Sequence, residues 1–131
     1  MSYTINRTIE GVDLDAAVER TRAALSDQGF GVLTEIDVKA TMKKKLDADM
    51  APSLILGACN PGMAKKAIEL EPRIGAMLPC NVILRQVDGN VEVSAVDPVV
   101  SMSAVDNERL ANVAGQVRDL LAAACPSTVG L

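Results

Sequence analysis

The chain has 131 residues, of which 49% are hydrophobic and 23% charged, and this composition is typical of a globular protein of single-domain size. It contains no histidine, which excludes a histidine-based catalytic triad, a histidine proton shuttle and metal sites that depend on imidazole. A net charge of −4 and an aromatic content of 2% argue against nucleic-acid binding, which needs a basic surface or a base-stacking platform. We therefore predict one domain over residues 1–131.

The N-terminal segment lacks the cationic and apolar regions of a signal peptide, and no apolar run approaches the roughly 20 residues that span a bilayer. The three cysteines, an odd number at wide spacing, differ from a secreted disulfide framework. We expect a cytoplasmic protein with reduced thiols that binds neither nucleic acid nor a membrane.

The first predicted elements are a strand, a helix and a second strand. Residues 3–10 alternate between apolar and polar side chains, as a half-buried strand does. Asp13 is a suitable N-cap for an amphipathic helix that runs to about Gln28, and Gly29 can adopt the left-handed conformation that ends it. Residues 31–38 alternate again and predict a strand with one set of side chains on a common face: Val32, Thr34, Ile36 and Val38.

The middle of the chain predicts two short helices separated by a buried strand. Residues 39–49 form a weak helix, because acidic side chains at its C-terminal end oppose the helix dipole. Residues 53–58 form the strand. Asn60-Pro61 then supplies an N-cap and a first-turn proline for a second helix that ends near Leu70.

The last third of the chain predicts a hairpin and a long helix. After an irregular stretch that ends at Pro79, residues 81–87 and 91–96 alternate on either side of an Asp-Gly-Asn turn, which is a strong hairpin signal. Residues 107–124 carry an apolar stripe at helical spacing.

The order β-α-β-α-β-α-β-β-α predicts an α+β two-layer sandwich. We expect a sheet of about five mainly antiparallel strands, with two long helices on one face and two short helices at the edge. A doubly wound three-layer α/β fold is the alternative.

Two cysteine-containing segments carry the most chemical information. Cys59 ends the third predicted strand in the GACNP segment (residues 57–61), directly before a helix N-terminus that favours a thiolate. Cys80 opens the next strand in the LPCN segment (residues 78–81), so both thiols are expected at the same edge of the sheet. These segments supply a candidate ligand or thiol site of five residues: Cys59, Asn60, Pro61, Cys80 and Asn81.

The same thiols suggest a soft metal site. The two segments are flanked by four methionines: Met42, Met50, Met63 and Met77. Thiolate and thioether ligands without imidazole suit Cu(I) or another thiophilic metal, and on this interpretation Cys59 and Cys80 bind it. The alternative is that cysteine packs as a small apolar side chain and methionine fills gaps in a core that lacks aromatics.

The lysines in the two short predicted helices form the only cluster of basic residues in the sequence. If these helices lie side by side, Lys43, Lys65 and Lys66 can form a small anion-binding surface. The alternative is that each lysine belongs to a solvated helix face.

Four segments resemble DUF302, a bacterial and archaeal family described as a domain of unknown function. They are residues 35–41 (EIDVKAT), residues 55–61 (ILGACNP), residues 78–82 (LPCNV) and Asp97-Pro98. The likeness covers nearly the whole chain. It implies a bacterial origin, a small α+β sandwich that is commonly dimeric, and no established activity.

The sequence leaves three functions open. We favour a binding or accessory protein for a small ligand, a thiophilic metal or a protein partner, and a non-enzyme over an enzyme. The second is a thiol-based redox or sulfur-handling protein that uses Cys59 with Cys80. The third is a purely structural subunit.

A sheet covered mainly on one face leaves apolar surface that a second copy can bury, so we expect a homodimer. No cofactor can be assigned from the residues.

Overall fold

The computed structural model describes residues 2–125. The strands are β1 (Thr4–Ile9), β2 (Gly31–Asp37), β3 (Ser53–Cys59), β4 (Cys80–Val87) and β5 (Asn90–Val96). The helices are α1 (Leu14–Asp27), α2 (Val38–Leu46), α3 (Pro61–Leu70), α4 (Pro98–Ser101) and α5 (Glu108–Ala124), with a 3₁₀ helix at Pro72–Met77.

The sheet has the strand order β1-β5-β4-β3-β2, and every neighbouring pair is antiparallel. The β4–β5 hairpin turns at Asp88 and Gly89, whose φ angles of 51° and 79° suit a tight two-residue turn. The long helices α1 and α5 contact each other and contribute to one core with the sheet. The α+β two-layer sandwich is therefore confirmed, and the doubly wound alternative is wrong because it requires a mainly parallel sheet.

The main core lies between the sheet and the two long helices. Ile9, Leu56 and Leu84 from the strands and Leu121 from α5 have no exposed surface. Burying a side chain of this size stabilises the fold by about 1.5–3 kcal/mol. A smaller cluster joins α3, the 3₁₀ helix and the residues after α4 to α5, with Ile74, Met102 and Leu110 among its buried members.

Side-chain caps fix the starts of the helices, as the sequence predicts for Asp13 and Asn60. Asp13, Asn60 and Asn107 each accept a hydrogen bond from a backbone N–H in the first turn of α1, α3 and α5. Gly29 follows α1 with a φ of 83°, which favours glycine. In the described chain, no helix is long and apolar enough to cross a membrane.

The predicted faces of β2 are wrong in one respect. Val32 lies opposite Ala58 and packs on the main core, but a β-bulge at Leu33 interrupts the alternation. Thr34 and Ile36 therefore share the opposite face of the sheet with their register partners Gly57 and Ile55. The extra residue of the bulge reverses every side chain that follows it. Val38 belongs to α2 rather than to the strand.

Candidate functional site

Three sequence segments meet at one end of the sheet, where β3 and β5 end and β4 begins. In an antiparallel sheet each strand ends beside the start of its neighbour, so the end of β3, the start of β4 and the end of β5 adjoin. These positions hold the GACNP segment, the LPCN segment and Asp97-Pro98. We refer to the three segments together as the motif cluster.

A small apolar cavity of about 30 Å³ lies between the motif cluster and the helices. It is lined by Asn60, Cys80 and Pro98 of the cluster and by Met63 and Met102, together with side chains of α5. A cavity of this size holds about one water molecule, whereas ligand pockets usually measure about 300–1,000 Å³. The motif cluster is thus a packed junction with two thioethers and one thiol at its centre.

Asn60 and Pro61 hold the start of α3 in place. The Asn60 Oδ1 accepts a hydrogen bond from the Met63 N–H at 3.3 Å, and its Nδ2 donates to the Gln28 carbonyl at 3.4 Å. Asn60 therefore ties α3 to the end of α1. Pro61 is the exposed first residue of α3, where a missing N–H costs no hydrogen bond.

Asp97 forms a second capping centre in the motif cluster. Its Oδ1 accepts from the Val99 N–H and its Oδ2 accepts from Arg118 Nε, both at 2.9 Å. Its own N–H donates to the Tyr3 carbonyl at 2.8 Å. Asp97 is only 8% exposed, so it joins the edge of the sheet to α4 and α5 through a buried carboxylate.

Gly57 is a point of close approach between strands. A Cβ built on Gly57 would overlap Thr34 Oγ1 and lie 2.8 Å from Pro79 Cγ. The Leu78–Pro79 peptide bond is cis. The GACNP and LPCN segments therefore contact each other where only a hydrogen atom fits.

The cysteines of the two segments lie on adjacent strands and are not joined by a disulfide. Cys80 lies opposite Ala58 in the register, and both belong to the main core. Because side chains alternate along a strand, the Cys59 side chain falls on the other face of the sheet. Asn81 lies opposite Gly57 on that face and is exposed. Cys59, Cys80 and Cys125 are all free thiols.

The predicted soft-metal set is only partly brought together. Met63 lines the cavity with Cys80, whereas Met50 and Met77 are 38% and 45% exposed. Within residues 2–125, no group of three or more histidine, cysteine, aspartate or glutamate side chains is placed to hold a metal ion. Met102, which no sequence pattern selects, lines the cavity, whereas Met42 does not.

The environment of Cys80 keeps its thiol protonated. Burial raises the pKa of Cys80 from 9.0 to about 11, and the neighbouring Cys59 adds to the rise. We expect iodoacetamide to leave Cys80 unmodified in the native protein at pH 8 and to label it once denaturant is added, as peptide mass spectrometry can measure. Native labelling of Cys80 as fast as that of the half-buried Cys59 would contradict this environment.

The same pKa predicts how stability depends on pH. Between pH 9 and about 11 the unfolded chain loses the Cys80 proton while the folded chain keeps it, so the free energy of unfolding falls as the pH rises through this range. The expected slope from Cys80 is about 1 kcal/mol per pH unit. Urea unfolding at several pH values measures it, and Cys80→Ala should flatten the slope.

The predicted anion-binding lysines are not gathered into one surface. Helix α2 contacts β2 and β3, whereas α3 contacts α5 and the 3₁₀ helix, so the two helices do not pack side by side. Lys43 forms ion pairs with Asp47 at 2.8 Å and Asp49 at 3.3 Å. Lys65 pairs with Glu69, which raises the pKa of the lysine. Lys66 is exposed on α3.

Comparison with known proteins identifies the family of this fold. The family model described as "Domain of unknown function DUF302" matches residues 5–127. The chain belongs to the DUF302 family. The uncharacterized conserved DUF302 protein from Bacillus stearothermophilus has a similar crystal structure, with a TM-score of 0.89 and 24% sequence identity over 95% of this chain and 97% of that one. No curated protein matches the chain.

The segments that carry the DUF302 likeness have structural roles in this chain. Gly57 allows a close contact, Asn60 and Asp97 cap helices, and Cys80 fills the core. Sequence reasoning missed the Asp97–Arg118 ion pair and helix α4. Asp97-Pro98 carries the same cap-and-proline signal as Asn60-Pro61, and that signal could have predicted α4.

Proposed function

We propose that this DUF302 domain is a binding or accessory protein that acts through protein–protein contact and assembles with a second copy of itself. One observation carries the proposal: no residue from 31 to 50 is buried, although these residues include a complete strand and a complete helix. We refer to residues 31–50 as the β2–α2 arm.

The arm exposes large apolar side chains. Leu33 is 66% exposed, Ile36 46%, Leu46 71% and Met50 38%. Exposed apolar side chains concentrated in one part of a surface mark a protein-binding region. A helix of nine residues such as α2 is also marginal in water without packing contacts, so its formation supports a covering partner.

The other ligand classes receive less support from the geometry. The cavity at the motif cluster is far smaller than a small-molecule pocket, which favours a protein partner. A buried, protonated Cys80 disfavours both thiol redox chemistry and a thiolate ligand for a thiophilic metal. Three free thiols fit a reducing compartment, so we retain the cytoplasm as the proposed location.

Light scattering coupled to size exclusion tests the proposal directly. We expect the wild-type protein to have the mass of a dimer at micromolar protomer concentrations. Leu33→Ser and Leu46→Ser should each raise the dissociation constant about tenfold or more, because burying a leucine contributes about 1.5–3 kcal/mol.

Ile68→Ser is the matched control, because Ile68 is 44% exposed on α3, outside the arm. It should leave the dissociation constant unchanged. A wild-type protein that stays monomeric at high micromolar concentration would refute the proposal. So would a dimer that Leu33→Ser and Leu46→Ser affect no more than Ile68→Ser does.

A further inference from the structure

A groove of about 550 Å³ runs between α1 and the edge strand β2. Its walls carry four carboxylates and one guanidinium: Asp15, Glu19, Glu35, Asp37 and Arg22. Arg22 pairs with Glu35 at 3.0 Å, and Asp37 Oδ1 accepts a hydrogen bond from the Ala40 N–H at the start of α2. In the described chain, Asp15 and Glu19 have no ion-pair partner, so the groove keeps an excess of negative charge.

The floor of the groove is apolar. Val18 from α1 is 7% exposed, and Leu54 from β3 is half-buried beside it. A groove with acidic walls and an apolar floor is complementary to a helix that has basic residues beside an apolar stripe. The charge and the apolar floor of the groove therefore favour a basic, amphipathic helix as the binding partner.

Helix α2 has this chemistry, and its own protomer does not bury its apolar side. Its apolar side consists of Val38, Met42 and Leu46, none of which is buried. Lys39 and Lys45 flank this side of the helix, and neither forms an ion pair with any residue between 2 and 125. Within the described residues, α2 thus carries unpaired lysines beside an apolar side that its own protomer leaves unburied.

We infer that α2 of one copy docks into the α1–β2 groove of a second copy, and that the second copy reciprocates. The inference rests on the proposed self-association and names the two surfaces that meet. Asp37 belongs both to the groove wall and to the N-cap of α2, so groove and helix are adjacent in each protomer. A two-fold axis close to the end of β2 then forms two identical contacts at once.

In this arrangement the Lys39 and Lys45 side chains, which flank the apolar side of α2, face the acidic walls of the groove of the opposite protomer. Met42 and Leu46 cover the Val18–Leu54 floor. Because the charges lie at the rim of the contact, added salt weakens the dimer by screening them.

Charge reversal on either surface provides the test. We compare Lys39→Glu/Lys45→Glu, the helix variant, with Asp15→Lys/Glu19→Lys, the groove variant. Each variant alone places like charges in both contacts of a dimer, so its dissociation constant should rise at least tenfold. An equimolar mixture restores opposite charges in both contacts, and native mass spectrometry should find the heterodimer as the main species.

Lys65→Glu/Lys66→Glu on α3 is the matched control, because it makes the same change in net charge on a helix outside the arm. Its dimer should dissociate like the wild type. All six substituted residues are exposed, and equal circular dichroism spectra verify that each variant is folded.

The outcomes separate this inference from the proposed function. If Leu33→Ser and Leu46→Ser weaken the dimer but charge reversal does not, the arm is an interface and the groove is not its receptor. If the mixture forms no heterodimer, the pairing of α2 with the groove is refuted. A monomeric wild-type protein refutes both.

Discussion

Gly57→Ala is expected to lower the free energy of unfolding by about 2 kcal/mol, near the middle of the range for overpacked cores. The added methyl group would overlap Thr34 Oγ1 and lie 2.8 Å from Pro79 Cγ. Thr34 can change rotamer, but the proline ring cannot move without its backbone. β3 and β4 must therefore separate locally, and the main core lies on the other side of the same strands.

Gly31→Ala is the matched control for this substitution. Gly31 lies in the neighbouring strand β2, and a Cβ there would meet no atom within 4 Å. We expect Gly31→Ala to change the stability by less than about 0.5 kcal/mol. Urea unfolding at one protomer concentration measures both variants, since self-association adds to apparent stability.

The double variant Thr34→Ala/Gly57→Ala separates the two contacts of the added methyl group. It should recover only part of the loss, because the contact with Pro79 remains. Full recovery would show that Thr34 alone excludes a side chain at Gly57. Equal stabilities of Gly57→Ala and Gly31→Ala would contradict the close packing described for the motif cluster.

Asp97→Ala is expected to cost about 2–3 kcal/mol of stability. The substitution removes the cap of α4, which contributes about 1 kcal/mol, and leaves the Val99 N–H without its acceptor. It also removes the acceptor of Arg118 Nε. The Arg118 side chain is 47% exposed and can return to water, so this part of the loss is the smaller one.

Asp97→Asn and Arg118→Ala divide this loss into its parts. Asparagine can still accept from the Val99 N–H, so Asp97→Asn should cost about 1 kcal/mol, mainly through the hydrogen bond to Arg118. Arg118→Ala should cost less than Asp97→Ala. If thermal and urea unfolding give the same loss for Asp97→Ala and Asp97→Asn, the cap has no stabilising role.

The elements whose limits the sequence predicts best are those with a local chemical signal. Asn60-Pro61 predicts the start of α3, and Asp88-Gly89 predicts the turn between β4 and β5. In each case the required backbone conformation depends on one or two adjacent residues, so no tertiary information is needed.

The β-bulge at Leu33 shows what local patterns leave undetermined. An unbroken alternation from Val32 to Ile36 predicts one common face, yet the register with β3 slips by one residue after Val32. The slip depends on how β2 pairs with β3, and no residue of β2 by itself signals it. The exposure of the β2–α2 arm cannot be predicted from local patterns either. Its apolar residues suggest burial, and only the packing of the folded chain leaves them exposed.

The candidate thiol site also depends on strand register, which the local sequence does not determine. The sequence places Cys59 and Cys80 at one edge of the sheet, and the structure does the same. Whether two side chains meet depends on the register as well, and the pairing of Ala58 with Cys80 directs Cys59 to the other face. The partners of Cys80 at the cavity include Met102, which is distant in sequence and reaches the site only through tertiary packing.

The strand order has a consequence for how the chain acquires its fold. β1 precedes the other described strands in the chain, yet among them it pairs only with β5, and Thr4 lies opposite Val96. The hairpin β4–β5 closes a short loop and can form early, whereas the β1–β5 pairing closes most of the chain and carries a larger entropic cost. We therefore expect β1 to dock late, after β5 has left the ribosome. Until then the outer edge of β5 has unpaired backbone groups that the first strand of another molecule can occupy, so nascent copies are open to strand exchange.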